Sequence, residues 1–550
     1  MTLEDWQLAV KAKQEEAAAK IPAAWRISTS FTDRISETAS NNVLQVPREC
    51  GILSAKQLEI TENYDATALL EKIHSKYFTA ADVAEAFCIR AAIAQQVTNC
   101  LTETFFDQAL ERARELDDYL EKTGKVIGPL HGLPVSLKDC FNVKGIPSTI
   151  GYTEFIKHGP VTTNSAVVQT LLDLGAILYA GDSHNYVFGR TLNPHRSNLT
   201  AGGSSGGEGA LVAMRGSILG VGTDIAGSIR IPAYCNGTYA LRPSEDRIPY
   251  GGQTSSSRKG LAGIKAVAGP LATSVRDLEL FSRVVINSDP WKYDSSAIFS
   301  TWRTVPAKPK LRLGFILEDT HFPVHPPVLN TLTQAVERLK AAGHEIINLE
   351  PPSITNATLL AFRNFAMDPA NTAFKHIQAS GEPRIPALSS TDLPHEYMPY
   401  DYAPLTLEGL YDLLEERGKY KAEFGRLFTE KQIDAIIMPG YQGTAPQHDL
   451  IGWVPYTVVN NVLNHPAAII PYRKANKADD AKYLRDVEYR PPCKQLLIWQ
   501  LFTEESAANH HKDIADDVEG APCCVQVVGR NMREEELLRE VETISMVLKN

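Results

Sequence analysis

Three short stretches of this chain hold residue types suited to nucleophilic chemistry. The first is Ala201-Gly202-Gly203-Ser204-Ser205-Gly206-Gly207-Glu208-Gly209. Taken alone it reads as a flexible glycine/serine linker, but the apolar run Leu211 to Met214 that follows starts a helix. Glycines ahead of a helix present backbone N–H groups to an anion. A phosphate loop is excluded because no Gly-Lys-Ser/Thr follows. The pattern G-x-S-x-G of a nucleophile elbow is present, yet the preceding Asn193 to Asn198 is loop-like where an elbow needs a strand. The second stretch is Gly222-Thr223-Asp224-Ile225-Ala226-Gly227-Ser228-Ile229-Arg230-Ile231-Pro232. A serine between a strand and a short helix can sit among free N–H groups that stabilise an oxyanion; its bland role would be a helix N-cap. The third is Gly132-Leu133-Pro134-Val135-Ser136-Leu137-Lys138-Asp139. An ammonium group at the end of an apolar strand is costly to bury. It is either paired locally, for instance with Asp139, or a desolvated lysine of depressed pKa that serves as a base.

Together these fragments resemble the amidase-signature family. Lys138, Gly202 to Gly207 and the serine that follows Ser204 at Ser228 carry the resemblance, which runs from Gly128 to Ala240 and extends more weakly to Gly520-Ala521-Pro522 and Val525 to Arg530. Phe188-Gly189-Arg190-Thr191-Leu192-Asn193-Pro194 and Gly207-Glu208-Gly209 are most similar to the acetamidase and fatty-acid-amide-hydrolase-like branch of fungi. The resemblance implies that Ser228 attacks an amide carbonyl to form an acyl-enzyme. Ser204, preceded by a cis peptide, would bridge Ser228 to a neutral Lys138. N–H groups of Ile225, Ala226, Gly227 and Ser228 would form the oxyanion hole beside Ser204. Ser205, Asp224 and Arg230 would support the loop by charge-assisted hydrogen bonds. The relay calls for no metal and no organic cofactor, and the partner is a small-molecule amide.

Two departures from the family pattern stand out. Ala226 occupies a position where many members have glycine, although the acetamidase-like branch often carries alanine there. After Ala180 the chain passes directly to Gly181-Asp182-Ser183-His184-Asn185, where related sequences continue through a longer loop that lines the substrate site. Natural shortening, a gene-model error or an inactive variant would each produce this. A non-catalytic protein of the same fold, and the glutaminase-type subunit of an amidotransferase, are the rival readings. His184 and His195 could tempt a triad with Ser204, but lone loop histidines are usually structural and the relay needs neither.

The elements expected to position these residues are those of an α/β chain. Leu133 to Leu137, Ala176 to Tyr179 and Ile218 to Val221 read as buried strands, and Ser165 to Leu174 as a helix closed by Gly175. Further on, Leu311 to Leu317, a helix from Pro327 to Ala342 and Ile346 to Leu349 make a β-α-β unit. A long helix over Leu407 to Phe428, strands at Ile433 to Met438, Ala467 to Ile470 and Val525 to Val528, and a helix over Glu534 to Val547 complete the pattern. Lys474 to Val518 reads as a polar, irregular surface insertion. The first 125 residues are helical: Glu4 to Lys20, a helix capped by Thr79, and another with buried Phe106, Ala109, Ala113, Leu116 and Leu120. The expected architecture is an α/β/α sandwich around a large twisted mixed sheet. Its domains are a helical N-terminal extension over 1–60 and an amidase-signature domain over 61–550, with the signature core at about 128–240.

Composition limits the partners. With 55 basic and 65 acidic residues the net charge is −10, which excludes nucleic acid and anionic membrane as natural targets. No apolar stretch is long enough to span a bilayer, and Met1 to Trp6 lacks the apolar run of a secretory signal. The eight cysteines show no C-x-x-C spacing and read as reduced, mostly buried thiols, as in a cytoplasmic enzyme. A homodimer is compatible with the sequence.

Overall fold

The computed structural model describes residues 3–182, 185–260, 262–368, 370–386, 406–485 and 516–549. Among them lie ten strands: β1 Pro134–Lys138, β2 Ile177–Asp182, β3 Leu219–Asp224, β4 Tyr239–Arg242, β5 Val267–Ala272, β6 Arg312–Phe315, β7 Glu345–Asn348, β8 Ala435–Met438, β9 Ala467–Lys474 and β10 Pro522–Val528. All ten join one sheet in the order β2-β1-β3-β5-β4-β9-β10-β8-β6-β7. Pairing is parallel at the two ends, where β1 runs with β2 and β3, and β6 with β7 and β8. It is antiparallel through the middle. This is the mixed sheet of the expected α/β/α class, with helices such as Gly206–Ala213, Arg230–Asn236 and Glu534–Lys549 packed on it.

The helices form where periodicity and caps agree. Ala80–Thr98 opens on a capping box of Thr79 and Asp82, and nearly every side chain in it is buried. Phe106–Thr123 buries Phe106, Ala109, Ala113, Leu116 and Leu120, the single stripe expected of an amphipathic helix. Two strands escape the pattern reading. β4 is only four residues long and ends in the fully buried Arg242. β5 contains Gly269 and Pro270, residues that ordinarily argue against a central strand. Gly269 is tolerated because a side chain there would collide with the Leu241 carbonyl of β4, 2.3 Å from the Cβ position.

The stretch after Ala180 does not turn away at once. β2 continues through Gly181 and Asp182, in parallel register with Leu137 and Lys138, past an irregularity between Val135 and Leu137. His184 lies outside the described residues, as do Cys493 and most of the expected insertion between Lys474 and Val518.

The N-terminal residues share the main core: Ile21, Ile27, Val43 and Val46 belong to the same apolar cluster as β1 and β3. Leu3–Ala19 is helical, and the chain then runs along residues 185–197. Val43 N–H donates to the Pro194 carbonyl (2.9 Å) and Ser197 N–H to the Asn41 carbonyl (2.9 Å). Gln14 donates to the Val187 carbonyl at 3.0 Å. The buried Lys13 lies 2.5 Å from the buried Glu103, which also pairs with Lys20 at 2.8 Å. Among the described residues no helix is long and apolar enough to cross a membrane.

Candidate active site

The carboxyl ends of the parallel strands β1 and β3 lie side by side, the position at which open α/β sheets bind ligands. Lys138 is the last residue of β1, 8% exposed, at the end of five buried positions. Its Nζ donates to Ser204 Oγ and, at 3.0 Å, to Thr223 Oγ1. Asp139 is engaged elsewhere: its Oδ2 accepts the Ile150 N–H at 2.7 Å and its carbonyl accepts the Ser148 hydroxyl at 2.6 Å. The lysine is therefore held by two hydroxyl groups.

Ser204 lies exposed in the turn before the Gly206–Ala213 helix, and the Gly203–Ser204 peptide is cis. Ser205 is buried and ties this turn to its surroundings. Its N–H donates to the Ser228 carbonyl at 3.1 Å, and its hydroxyl accepts the Thr223 N–H at 3.2 Å. The turn bearing Ser204 and the loop bearing Ser228 are thus joined by main chain immediately beside both serines.

That loop is built around one buried ion pair. Asp224 ends β3, and Arg230 opens the Arg230–Asn236 helix; both are fully buried. Arg230 donates to both carboxylate oxygens of Asp224, at 3.0 Å each. The same carboxylate accepts the N–H groups of Gly227 (2.8 Å) and Ile229 (3.2 Å) and the Asn461 amide (2.9 Å). Burial alone would push the Asp224 carboxyl up. Arg230, helped by Arg242 and Asn461, overrides this and holds it well below the usual carboxylate range. The remaining Arg230 donors go to the Thr457 carbonyl (2.8 Å), Gln526 (3.0 Å) and Asn461 (2.6 Å). A charge with every donor placed in this way is compatible with full burial, whereas loss of either partner would cost about 3–5 kcal/mol.

One expected oxyanion donor is committed elsewhere. The Gly227 N–H already serves Asp224, because the carboxylate sits under the loop and competes for that hydrogen. Of the four N–H groups expected to face a substrate, those of Ile225, Ala226 and Ser228 are not engaged by this carboxylate. Ile225 is 37% exposed and Ser228 half-buried, so this edge of the loop faces outward.

Gly227 has a further reason to be glycine. Its φ is +125°, and a Cβ there would stand 2.3 Å from Thr457 Oγ1 and 2.9 Å from Ile231. Thr457 Oγ1 in turn donates to the Ala226 carbonyl at 2.7 Å. Gly227→Ala is therefore expected to displace both the loop and its brace. If the loop supplies the expected oxyanion donors, turnover should fall by about 10²-fold or more as they lose alignment, with a drop in thermal midpoint reflecting about 1–3 kcal/mol of strain. Unchanged kcat in the folded variant would show that the loop geometry is not used.

Thr457, Asn461 and Gln526 were not among the expected site residues. They reside on the Pro455–Leu463 helix and on β10, more than 200 positions from Ser228. The signal available was the pair Thr457 and Asn461, four apart in a mostly apolar run that also holds Asn460, which puts two polar groups on one side of a buried helix. Thr223, inside the second motif, gains its part from the fold, where it accepts from Lys138. His195 is structural: its Nε2 lies 3.0 Å from the Asn236 carbonyl, and burial lowers its pKa to about 4. Of the described cysteines, Cys88, Cys100, Cys235, Cys523 and Cys524 are buried, and none of the described cysteines forms a disulfide. Burial pushes the Cys235 and Cys523 thiols up to about 12, which leaves them unreactive at neutral pH.

A sheet of this order with a lysine, two serines and a buried Asp–Arg loop at its carboxyl edge defines a class. The chain belongs to the amidase family, whose model, described as Amidase, matches residues 82–538. It is 38% identical to an amidase of Gibberella moniliformis over 93% of this chain and 98% of that protein. It is 35% identical to an acetamidase of Emericella nidulans over 100% of this chain and 99% of that one. Among solved structures, a fatty acid amide hydrolase superposes with a TM-score of 0.88 at 29% identity, covering 99% of this chain and 95% of that one.

Proposed function

We propose that this chain hydrolyses a carboxylic amide to an acid plus ammonia or an amine through a Lys138–Ser204–Ser228 relay. Amide hydrolysis is the chemistry of its family and is named in its acetamidase and amidase relatives. The observation that carries the relay is the hydrogen bond between Lys138 Nζ and the exposed Ser204 Oγ, at the carboxyl ends of β1 and β3 where Ser228 is tied alongside.

In this reading Ser228 Oγ attacks the amide carbon while its proton passes through Ser204 to the amine of Lys138. The oxyanion gathers on the N–H groups of Ile225, Ala226 and Ser228. Collapse of the tetrahedral adduct breaks the C–N bond, and the proton returns from Lys138 through Ser204 to the departing nitrogen. Water then repeats the sequence on the ester and releases the acid. For Lys138 to act as base, the amine is neutral and the Ser204 contact reverses, Ser204 Oγ–H donating to the lysine lone pair. Thr223 Oγ1 keeps accepting a Lys138 N–H and holds the amine in place. The Asp224–Arg230 pair keeps the N–H groups of the loop fixed before substrate arrives, so that little reorganisation is needed during reaction.

Small aliphatic amides lead as substrates, and longer acyl amides follow. The named acetamidase relatives support the first class, and the fatty acid amide hydrolase likeness the second. Ammonia release across primary amides from acetamide to hexanamide is expected to be highest at the short end. Release from none of them by the folded protein would overturn the reading in favour of a non-catalytic relative.

A further inference from the structure

We infer that Glu208 is a positioning residue for the relay, setting the distance between Lys138 and Ser204 through a second contact beneath it. The inference rests on the reading of Lys138 and Ser204 given above.

Residues two apart on a strand share a face, so Ser136 and Lys138 project from β1 on the same side. Lys138 meets Ser204. Ser136 Oγ donates to Glu208 Oε2 at 2.5 Å, and Glu208 lies four residues after Ser204, within the Gly206–Ala213 helix that Ser204 precedes. The strand and the helix start are thus connected by two successive rungs, one of which carries the proposed proton transfer.

The lower rung is built into the fold. Glu208 is 0% exposed, and burying a carboxyl group is expensive where an apolar side chain would fill the space. Ser136 pairs in register with Gly220 on β3. A Cβ at Gly220 would stand 2.1 Å from Glu208 Oε2, so the absent side chain leaves the room that the carboxyl occupies. Ser217 completes the group, 2.8 Å from Ser136 Oγ, and Tyr179 closes the same compartment by donating to the Gly216 carbonyl at 2.7 Å. Ser136 and the gap at Gly220 thus seat the carboxyl group beside β1, two residues before Lys138, while Ser217 and Tyr179 brace Ser136 and the chain next to it. A helix start free to slide along β1 would lengthen the Lys138–Ser204 contact, and misplacement by about 1 Å can cost on the order of 10²-fold in rate.

The test compares Glu208→Ala, Glu208→Gln, Ser136→Ala and the double variant Glu208→Ala/Ser136→Ala, using kcat and KM for acetamide together with thermal midpoints. Glu208→Ala and Ser136→Ala are each expected to lower kcat by about 10–100-fold with KM little changed. The double variant should lose no more than the worse single one, because both remove the same rung. Glu208→Gln keeps an acceptor for the Ser136 hydroxyl and should recover most of kcat. A lowered thermal midpoint with wild-type kcat would make Glu208 merely structural and overturn the inference, as would independent, additive losses. Should Glu208→Ala fail to fold, Ser136→Ala carries the same test. Full activity of Lys138→Ala would overturn the relay and this inference with it, whereas strong dependence on Lys138 with indifference to Ser136 and Glu208 would overturn the inference alone.

Discussion

Replacing Ser228 with alanine is expected to leave a folded protein that no longer reacts with a fluorophosphonate and whose amide turnover falls by a factor on the order of 10⁶, the scale seen when a serine nucleophile is removed elsewhere. The change takes away one oxygen and little else. The Ser228 carbonyl keeps its bond from the Ser205 N–H, and the Asp224 carboxylate keeps the Gly227 and Ile229 N–H groups, so the loop retains its main-chain supports. Peptide mass mapping of the labelled wild type should place the phosphonate on Ser228. Label on Ser204, or full turnover by the variant, would move the nucleophile to a different residue and reverse the order of the relay.

Lys138→Ala is expected to lower activity by about 10²–10⁴-fold at neutral pH, the usual worth of a positioned base, and by clearly less at high pH. The sign follows from the role. When the proton of the serine pair must go to a side chain, its removal is felt most where hydroxide is scarce, and solvent base takes over as pH rises. A lysine that only filled space between Ser204 and Thr223 would, once truncated, damage the site equally at every pH. The ratio of wild-type to variant kcat between pH 7 and pH 10 separates the two cases: a falling ratio assigns the base, and a flat one denies it.

Much of this arrangement could be read in advance because it is local in the chain. Lys138 at the end of an apolar run, Ser204 between glycines and Ser228 before a short helix are each legible from neighbours within ten residues, and the strands that carry them showed as buried apolar stretches. What escaped reading is long-range or breaks a local rule. Thr457, Asn461 and Gln526 come to the Asp224–Arg230 loop only through the fold. Gly269 and Pro270 disqualify β5 on propensity, yet burial between β3 and β4 overrides that preference. The resemblance implies that the Gly227 N–H faces a substrate, and only the fold brings the Asp224 carboxylate to where it accepts that hydrogen. The extension of β2 through Asp182 was hidden because Gly181 reads as a breaker, while parallel pairing with Lys138 keeps the strand going.

The clamp between the N-terminal segment and residues 185–197 bears on how this protein could be cut or recombined. A version starting at residue 82, where the family match begins, would strand the Glu103 carboxylate in the interior without Lys13 and Lys20. It would also uncover the Pro194 and Val187 carbonyls. Removing one side of a buried ion pair costs about 3–5 kcal/mol, a large part of the stability of a typical domain. Chimeras among relatives should therefore exchange the first 43 residues together with Glu103 and the 185–197 segment, since these are the surfaces that the N-terminal segment pairs with.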